Sequence, residues 1–300
     1  MLGLPEEFTP DFLARLEHLR IRTRREFEGL GKGAHLSPRR GSSLEFSDFR
    51  HYALGDDFRF IDWGLYGRTD KLYIKLFKEE EDLLTYIFLD ASASMGLPEA
   101  DRKFPMAVAT ALAFAYVALA QGDRVMIRVL AGDGKAAPPG FVYGRHRIVE
   151  LAQRLGAIRP AGQIDLATAL ARELVSVRRA GKVFVISDYL MMINSVTRGL
   201  GLFTAANMDV TAVQILGGAE MAGAGLAGDV ELVDAESGER VMASIGNRER
   251  AQYRETLARL SREIRAFCLR RGLHYTLYTT NLNFHNFFLR ASADFGLRRH

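Results

Sequence analysis

The chain has 300 residues, 48% of them hydrophobic and 25% charged, with a formal charge of +4 and a single cysteine. This is the composition of a globular protein with one large domain and an appendage, or two modest domains, and it excludes an internal disulfide. The basic excess gathers in Arg20–Arg25, Lys32–Arg40, Arg178-Arg179 and Arg270-Arg271, without the dense, aromatic-interleaved face of a nucleic-acid binder.

At the N-terminus, Met1–Pro5 runs straight into Glu6 and Glu7, with neither the basic start nor the apolar core of a secretory signal. Thr9 as N-cap, Pro10 at the first helical position and the spacing of Phe12, Leu13, Leu16, Leu19, Ile21 and Phe27 predict an amphipathic helix over 9–28. The glycines at 29, 31 and 33 end it, and 31–43 reads as a loop. Residues 45–50 read as a turn of helix, 52–57 as a turn, and 72–78 as a half-exposed strand.

From residue 83 strands and helices alternate. Strands are expected at 84–89, 125–130, 182–187, 209–215 and 274–278, and helices at 104–121, 146–155, 166–180, 195–206 and 248–271. The longest apolar run, Met106–Ala120, is shorter than the roughly 20 residues of a membrane span and reads as a buried, Ala-rich helix. Cys268 is expected on the buried face of a helix, which suits a reducing cytoplasm. Continuous apolar strands between helices imply an α/β fold: a doubly wound, mostly parallel sheet covered on both faces. Residues 1–82 are then an N-terminal segment packed on the sheet, and 83–300 the main domain. A β-hairpin turning near Glu236–Gly238 is expected as an insertion at about 228–243.

The chemistry sits at Tyr86–Met95. An apolar strand stops at Asp90, and Ser92 and Ser94 follow at spacings of two. Three hard oxygens in one strand-to-helix turn suit a divalent cation such as Mg²⁺. Asp188 closes the strand Val183–Ser187. In a sheet of order 3-2-1-4-5-6 the first and fourth strands are neighbours at the crevice where ligands bind. Asp90 and Asp188 then lie side by side, provided a short third strand falls near Gly156–Arg159. Two carboxylates facing one point repel unless one is protonated or a cation bridges them. The competing reading is that Asp90, Ser92 and Ser94 merely cap the next helix. Asp165, before helix 166–180, is expected to be a cap. No serine shows a nucleophile elbow, and the glycines at 29, 31 and 33 lack a phosphate-loop ending.

The Asp-x-Ser-x-Ser spacing is similar to the first motif of the metal-ion-dependent adhesion site of von Willebrand factor A domains. Gly33–Gly41 (GAHLSPRRG), Leu44–Arg50 (LEFSDFR) and Tyr52–Trp63 (YALGDDFRFIDW) resemble the signature of the domain-of-unknown-function 58 family, and Asp90–Met95, Gly122–Val125, Ile186–Asp188 and Asp234–Glu239 fit it too. The resemblance covers nearly the whole chain. It implies a von Willebrand factor A-like fold and a role beside a MoxR-type AAA+ ATPase in assembling or remodelling other proteins. It also implies Mg²⁺ or Mn²⁺ at Asp90, Ser92, Ser94 and Asp188. One departure weakens that site: where family members carry Gly-Gly-Thr-Asp-Leu, this chain has Ile164 at the threonine. Many relatives carry two membrane-spanning helices near the N-terminus, and none is expected here.

Asp56, Asp57, Arg59 and Asp62 are expected to form a salt-bridge network holding the N-terminal segment to the sheet, with Trp63 in the core and His35 and His51 in loops or at the surface. The expected function is a non-enzymatic, cytoplasmic protein-interaction module. The alternatives are a Mg²⁺-dependent hydrolase using the same carboxylates, and a nucleic-acid binder using Arg22, Arg24, Arg25, Arg39 and Arg40.

Overall fold

The computed structural model describes residues 3–21, 23, 44–79, 83–131, 140–177, 179–224, 228–233 and 240–299. Two compact units emerge, one of residues 1–27 with 83–300 and the other of residues 28–82. The division therefore falls inside the expected 1–82 segment, whose first part belongs with the sheet. Helix α1 (Pro10–Glu17) starts where expected, with the Thr9 hydroxyl accepting from the Phe12 N–H at 3.3 Å. It ends at Glu17, far short of residue 28. Leu19–Ile21 instead forms strand β1, because an antiparallel partner, Leu297–Arg299, is present. Phe12 is buried against Phe8, Phe284 and Phe288, and its ring stacks on His285 at 4.4 Å between centroids.

The second unit, by itself, is a hairpin-like pair with a helix between its strands. β2 (Leu44–His51) runs antiparallel to β3 (Tyr73–Glu79), with an irregularity between Phe46 and Asp48. The helical turn expected at 45–50 is thus a strand. α2 (Trp63–Thr69) is capped by the Asp62 carboxylate, which accepts from the Leu65 N–H at 2.9 Å. The acidic residues of this unit pair locally: Arg50 donates to both oxygens of Asp56, Asp57 holds Arg59, and Asp62 meets Lys75 at 3.2 Å. Each of these partners lies within residues 50–75, so the pairs brace this unit itself. Trp63 is 61% exposed, not core.

The sheet unit continues with β4 (Leu84–Asp90), α3 (Lys103–Ala120), β5 (Arg124–Leu130), β6 (Val142–Tyr143) and α4 (Ile148–Gly156). Then follow α5 (Leu166–Leu174), β7 (Lys182–Ser187), α6 (Ile193–Ala205), β8 (Asp209–Leu216) and α7 (Gly218–Ala222). β9 (Gly228–Val233) pairs antiparallel with β10 (Arg240–Ile245), as the expected insertion requires; its turn, 234–239, lies outside the described residues. α8 (Asn247–Arg270), β11 (His274–Thr279), α9 (Phe284–Arg290) and β12 (Leu297–Arg299) complete it.

Six strands form one mixed, mostly parallel sheet in the order β11-β8-β7-β4-β5-β6, with only β6 antiparallel to its neighbour. Numbered by chain position and read from the β6 edge, the order is 3-2-1-4-5-6. The third strand is β6, before α4, and not the expected stretch near Gly156–Arg159, where α4 ends. Alternate residues of each strand face opposite sides. Ile87, Leu89, Phe184 and Ile186 pack with α1, α3, α4 and α9, while Tyr86, Phe88, Val183 and Val185 pack with α5, α6 and α8. Both faces are covered, which is why the parallel strands read as unbroken apolar runs. The helical stretch Glu99–Ala120, which includes α3, is long and apolar enough to cross a membrane, yet 89% of its apolar window is buried within the fold. Cys268 is buried on α8, and burial pushes its thiol up to about 12.

Candidate functional site

Asp90 ends β4, and the neighbouring strand β7 ends just before Asp188. The pairing of Leu89 with Ile186 sets Asp90 level with Ser187. Asp90, Ser92, Ser187 and Asp188 are all fully buried. The Ser187 hydroxyl donates to Asp90 Oδ2 at 2.6 Å, and the Ser92 N–H donates to Asp90 Oδ1 at 2.8 Å. The hydroxyls of Ser92 and Ser94 lie 3.1 Å apart. The turn is clamped from the far side by the loop before α5: Ala93 N–H donates to the Gly162 carbonyl and Ala161 N–H to the Ala91 carbonyl, both at 2.9 Å.

Beyond Asp188 the backbone turns sharply. Tyr189 takes a left-handed conformation (φ 55°), which costs a residue with a Cβ about 1–3 kcal/mol and persists only where surroundings enforce it. Here the Tyr189 N–H donates to the Ser187 hydroxyl at 2.8 Å and its own hydroxyl donates to the Val185 carbonyl at 2.7 Å. The kink leaves Asp188 Oδ1 accepting from the Leu190 N–H at 3.1 Å.

Three residues at this site were not singled out from the sequence: Lys103, Glu220 and Ser187. The Lys103 ammonium, fully buried, donates to Asp188 Oδ2 at 3.0 Å and to Glu220 Oε1 at 2.9 Å. Burial alone lowers a lysine, but the two carboxylates outweigh it and Lys103 is raised, so it stays charged. Glu220 is held by α7, whose first turn is gripped by Asp101: the Ala219 and Glu220 N–H groups donate to its two oxygens at 2.8 and 2.9 Å. There was one signal for Lys103 in the sequence. It is the lone charge in the 18-residue run of α3.

Burial first, and then the charge of Asp188, push the Asp90 carboxyl up to about 6. The buried carboxylates of Asp90, Asp188 and Glu220 outnumber the Lys103 ammonium, and the donors at Asp90, Ser92, Ser94 and Asp188 are all hard oxygens. Hard oxygens are the donors that a divalent cation of the Mg²⁺ class takes, although among the described residues no three His, Cys, Asp or Glu side chains gather closely enough to hold a metal by themselves. Two features thin its shell: Asp188 is already shared with Lys103, and Ile164, 8% exposed, lies in the apolar cluster beneath α5 and α6 and brings no oxygen. Asp165 does what a cap does, accepting from the Thr168 N–H at 2.8 Å and from the hydroxyls of Thr168 and Ser195 at 2.6 Å. These bonds, Ser195 foremost, hold its carboxyl below the usual range. Arg22, Arg24, Arg25, Arg39, Arg40 and His35 lie outside the described residues; His51 sits in β2, its ring 4.5 Å from that of Tyr73.

Two uncharacterised proteins, Rv1480 of Mycobacterium tuberculosis and Mb1516 of Mycobacterium bovis, are each 30% identical over 236 residues, 76% of this chain and 72% of theirs. Among solved structures, the conserved hypothetical protein BatB of Bacteroides thetaiotaomicron matches at 15% identity and a TM-score of 0.36, over 62% of this chain and 99% of its own. The pilus adhesin SpaC of Lactobacillus rhamnosus GG matches at 9% and 0.43, over 73% and 30%. The family model described as "Protein of unknown function DUF58" matches residues 48–265, and with relatives at this identity the chain belongs to that family.

Proposed function

We propose that this chain is a non-enzymatic protein-interaction module of von Willebrand factor A-like, doubly wound architecture, working in the cytoplasm with a MoxR-type AAA+ ATPase in protein assembly or remodelling. What carries the reading is the pair of fully buried carboxylates, Asp90 and Asp188, at the ends of the first and fourth strands, with two serine hydroxyls beside them. A topological switch point is where open α/β sheets take ligands. A bound Mg²⁺ or Mn²⁺ supplies Lewis acidity and an exchangeable coordination position for a carboxylate of the partner. Asp90, Ser92, Ser94 and Asp188 would hold it. The chain's own part is positioning. Ser187 and the Ser92 N–H orient Asp90, the left-handed turn at Tyr189 aims Asp188, and Lys103 fixes the outer oxygen of Asp188 while tying α7 to the crevice.

The test is calorimetric titration of Mn²⁺ into wild type and Asp90→Ala, with co-purification of the ATPase with and without EDTA. Wild type should bind Mn²⁺ and retain the ATPase only without chelator, and Asp90→Ala should do neither. Equal Mn²⁺ binding by the two proteins, or ATPase capture indifferent to both EDTA and Asp90→Ala, overturns the reading. Phosphatase or nuclease turnover abolished by Asp90→Ala would instead favour the hydrolase.

A further inference from the structure

A cavity of about 490 Å³ lies away from Asp90, at the rim of the sheet. Its floor is β11, the strand at the end of the sheet order, which pairs only with β8 among the described residues. In a parallel ladder a strand's backbone groups alternate between its two sides, so about half of those on β11 point away from β8. One wall is α8, through Leu257, Arg254, Arg262 and Arg265; the other is α9, through Phe287, with Asp294 beyond it.

Three properties of this groove point to one class of occupant. Its floor and walls are apolar at Leu257, Leu277 and Phe287. Its rim is cationic: Arg262 is engaged by Glu255 at 2.6 Å, whereas Arg254 and Arg265 make no ion pair among the described residues and outnumber Asp294. And Thr276, only 6% exposed and lining the cavity, has a hydroxyl with no hydrogen-bond partner among the described residues. A buried, unpaired hydroxyl carries a desolvation penalty that a ligand's polar group would relieve. We infer that this groove is a second interaction surface, which takes an extended acidic peptide of a partner protein by strand addition to β11. The peptide backbone pairs with the outer edge of the strand, alternate apolar side chains fill the cavity, and carboxylates meet Arg254 and Arg265.

The probe is a short fluorescein-labelled peptide alternating valine with glutamate, followed by fluorescence anisotropy on the full chain. Saturable binding is expected, weakened about tenfold or more by the double variant Arg254→Glu/Arg265→Glu. N-methylation of alternate backbone amides of the peptide should weaken it as much, with the protein untouched. Both arginines are exposed, so the double variant should keep the wild-type urea midpoint. Four results overturn the inference: no saturable binding; binding indifferent to N-methylation; a valine–lysine peptide that binds as well; or a wild-type dimer that the double variant dissolves, which would make a second copy of the chain the occupant.

Discussion

Replacing Lys103 with methionine keeps the length of the side chain and removes the cation. Asp188, fully buried, and Glu220, 8% exposed, would then face one another without the ammonium that lies within 3.0 Å of both. Each keeps one backbone donor, the Leu190 N–H for Asp188 and the Gly217 N–H for Glu220. Removing one partner of a buried ion pair costs about 3–5 kcal/mol. The loss should depend on pH with a definite sign. Burial already raises the Glu220 carboxyl, and Lys103 offsets part of that rise; without the ammonium it is raised further, so its contribution is present below the unfolded value near 4 and is lost as pH rises through the raised one. The deficit against wild type is therefore full at about pH 8 and shrinks toward about pH 5. Urea unfolding followed by far-ultraviolet circular dichroism, in EDTA, reads it. Adding Asp188→Asn and Glu220→Gln should restore at least half of the loss, since neutral amides need no counter-charge. A deficit below about 1 kcal/mol, the scale of a solvent-exposed pair, or one equal at both pH values would refute the account of Lys103 as the site's internal counter-ion.

Asp90 gives a second pH signature in the metal-free protein. Its carboxyl is raised to about 6, so its contribution is lost as pH rises from about 4 through about 6, and Asp90→Asn should flatten that slope by about 2–3 kcal/mol. Ile164→Thr should tighten Mn²⁺ binding by about tenfold in calorimetry by restoring an oxygen. The same change should lower the metal-free urea stability by about 1–2 kcal/mol, because Ile164 is buried among apolar neighbours. Phe12→Ala should cost the sheet unit about 3–5 kcal/mol, because its ring lies inside the aromatic cluster of α9. A near-neutral result would detach α1 from that unit.

The parallel strands were legible because burial on both faces leaves long apolar runs: β4 is buried at all seven positions, and its Tyr86–Leu89 is apolar between Thr85 and Asp90. Elements whose partners lie far away were not. Leu19 and Ile21 continue a helical spacing from Leu16, and nothing local says that they alternate for a strand whose mate is at 297–299. The register shift between Phe46 and Asp48 spoils the alternation of β2 and disguised it as a helical turn. At the site, Asp90 and Asp188 stood out because each ends an apolar strand. Glu220 carried no such mark. It lies in a Gly- and Ala-rich stretch, and only the fold brings it to Lys103.

The pairing of β1 with β12 has a consequence for synthesis. Leu19 lies opposite Arg299, 280 positions later. A chain made from its N-terminus produces α1 and β1 before the sheet, while the strand and the phenylalanines that receive them, Phe284 and Phe288, come only when the sheet has been translated. Until then Phe12 and Leu16 have no aromatic wall to enter, and closing so long a loop is an entropically slow, late step. A segment made before the sheet is thus locked only after it. A nascent chain halted short of residue 297 would carry an amphipathic helix with its apolar face uncovered and an unpaired strand, a form exposed to aggregation and to holdase chaperones.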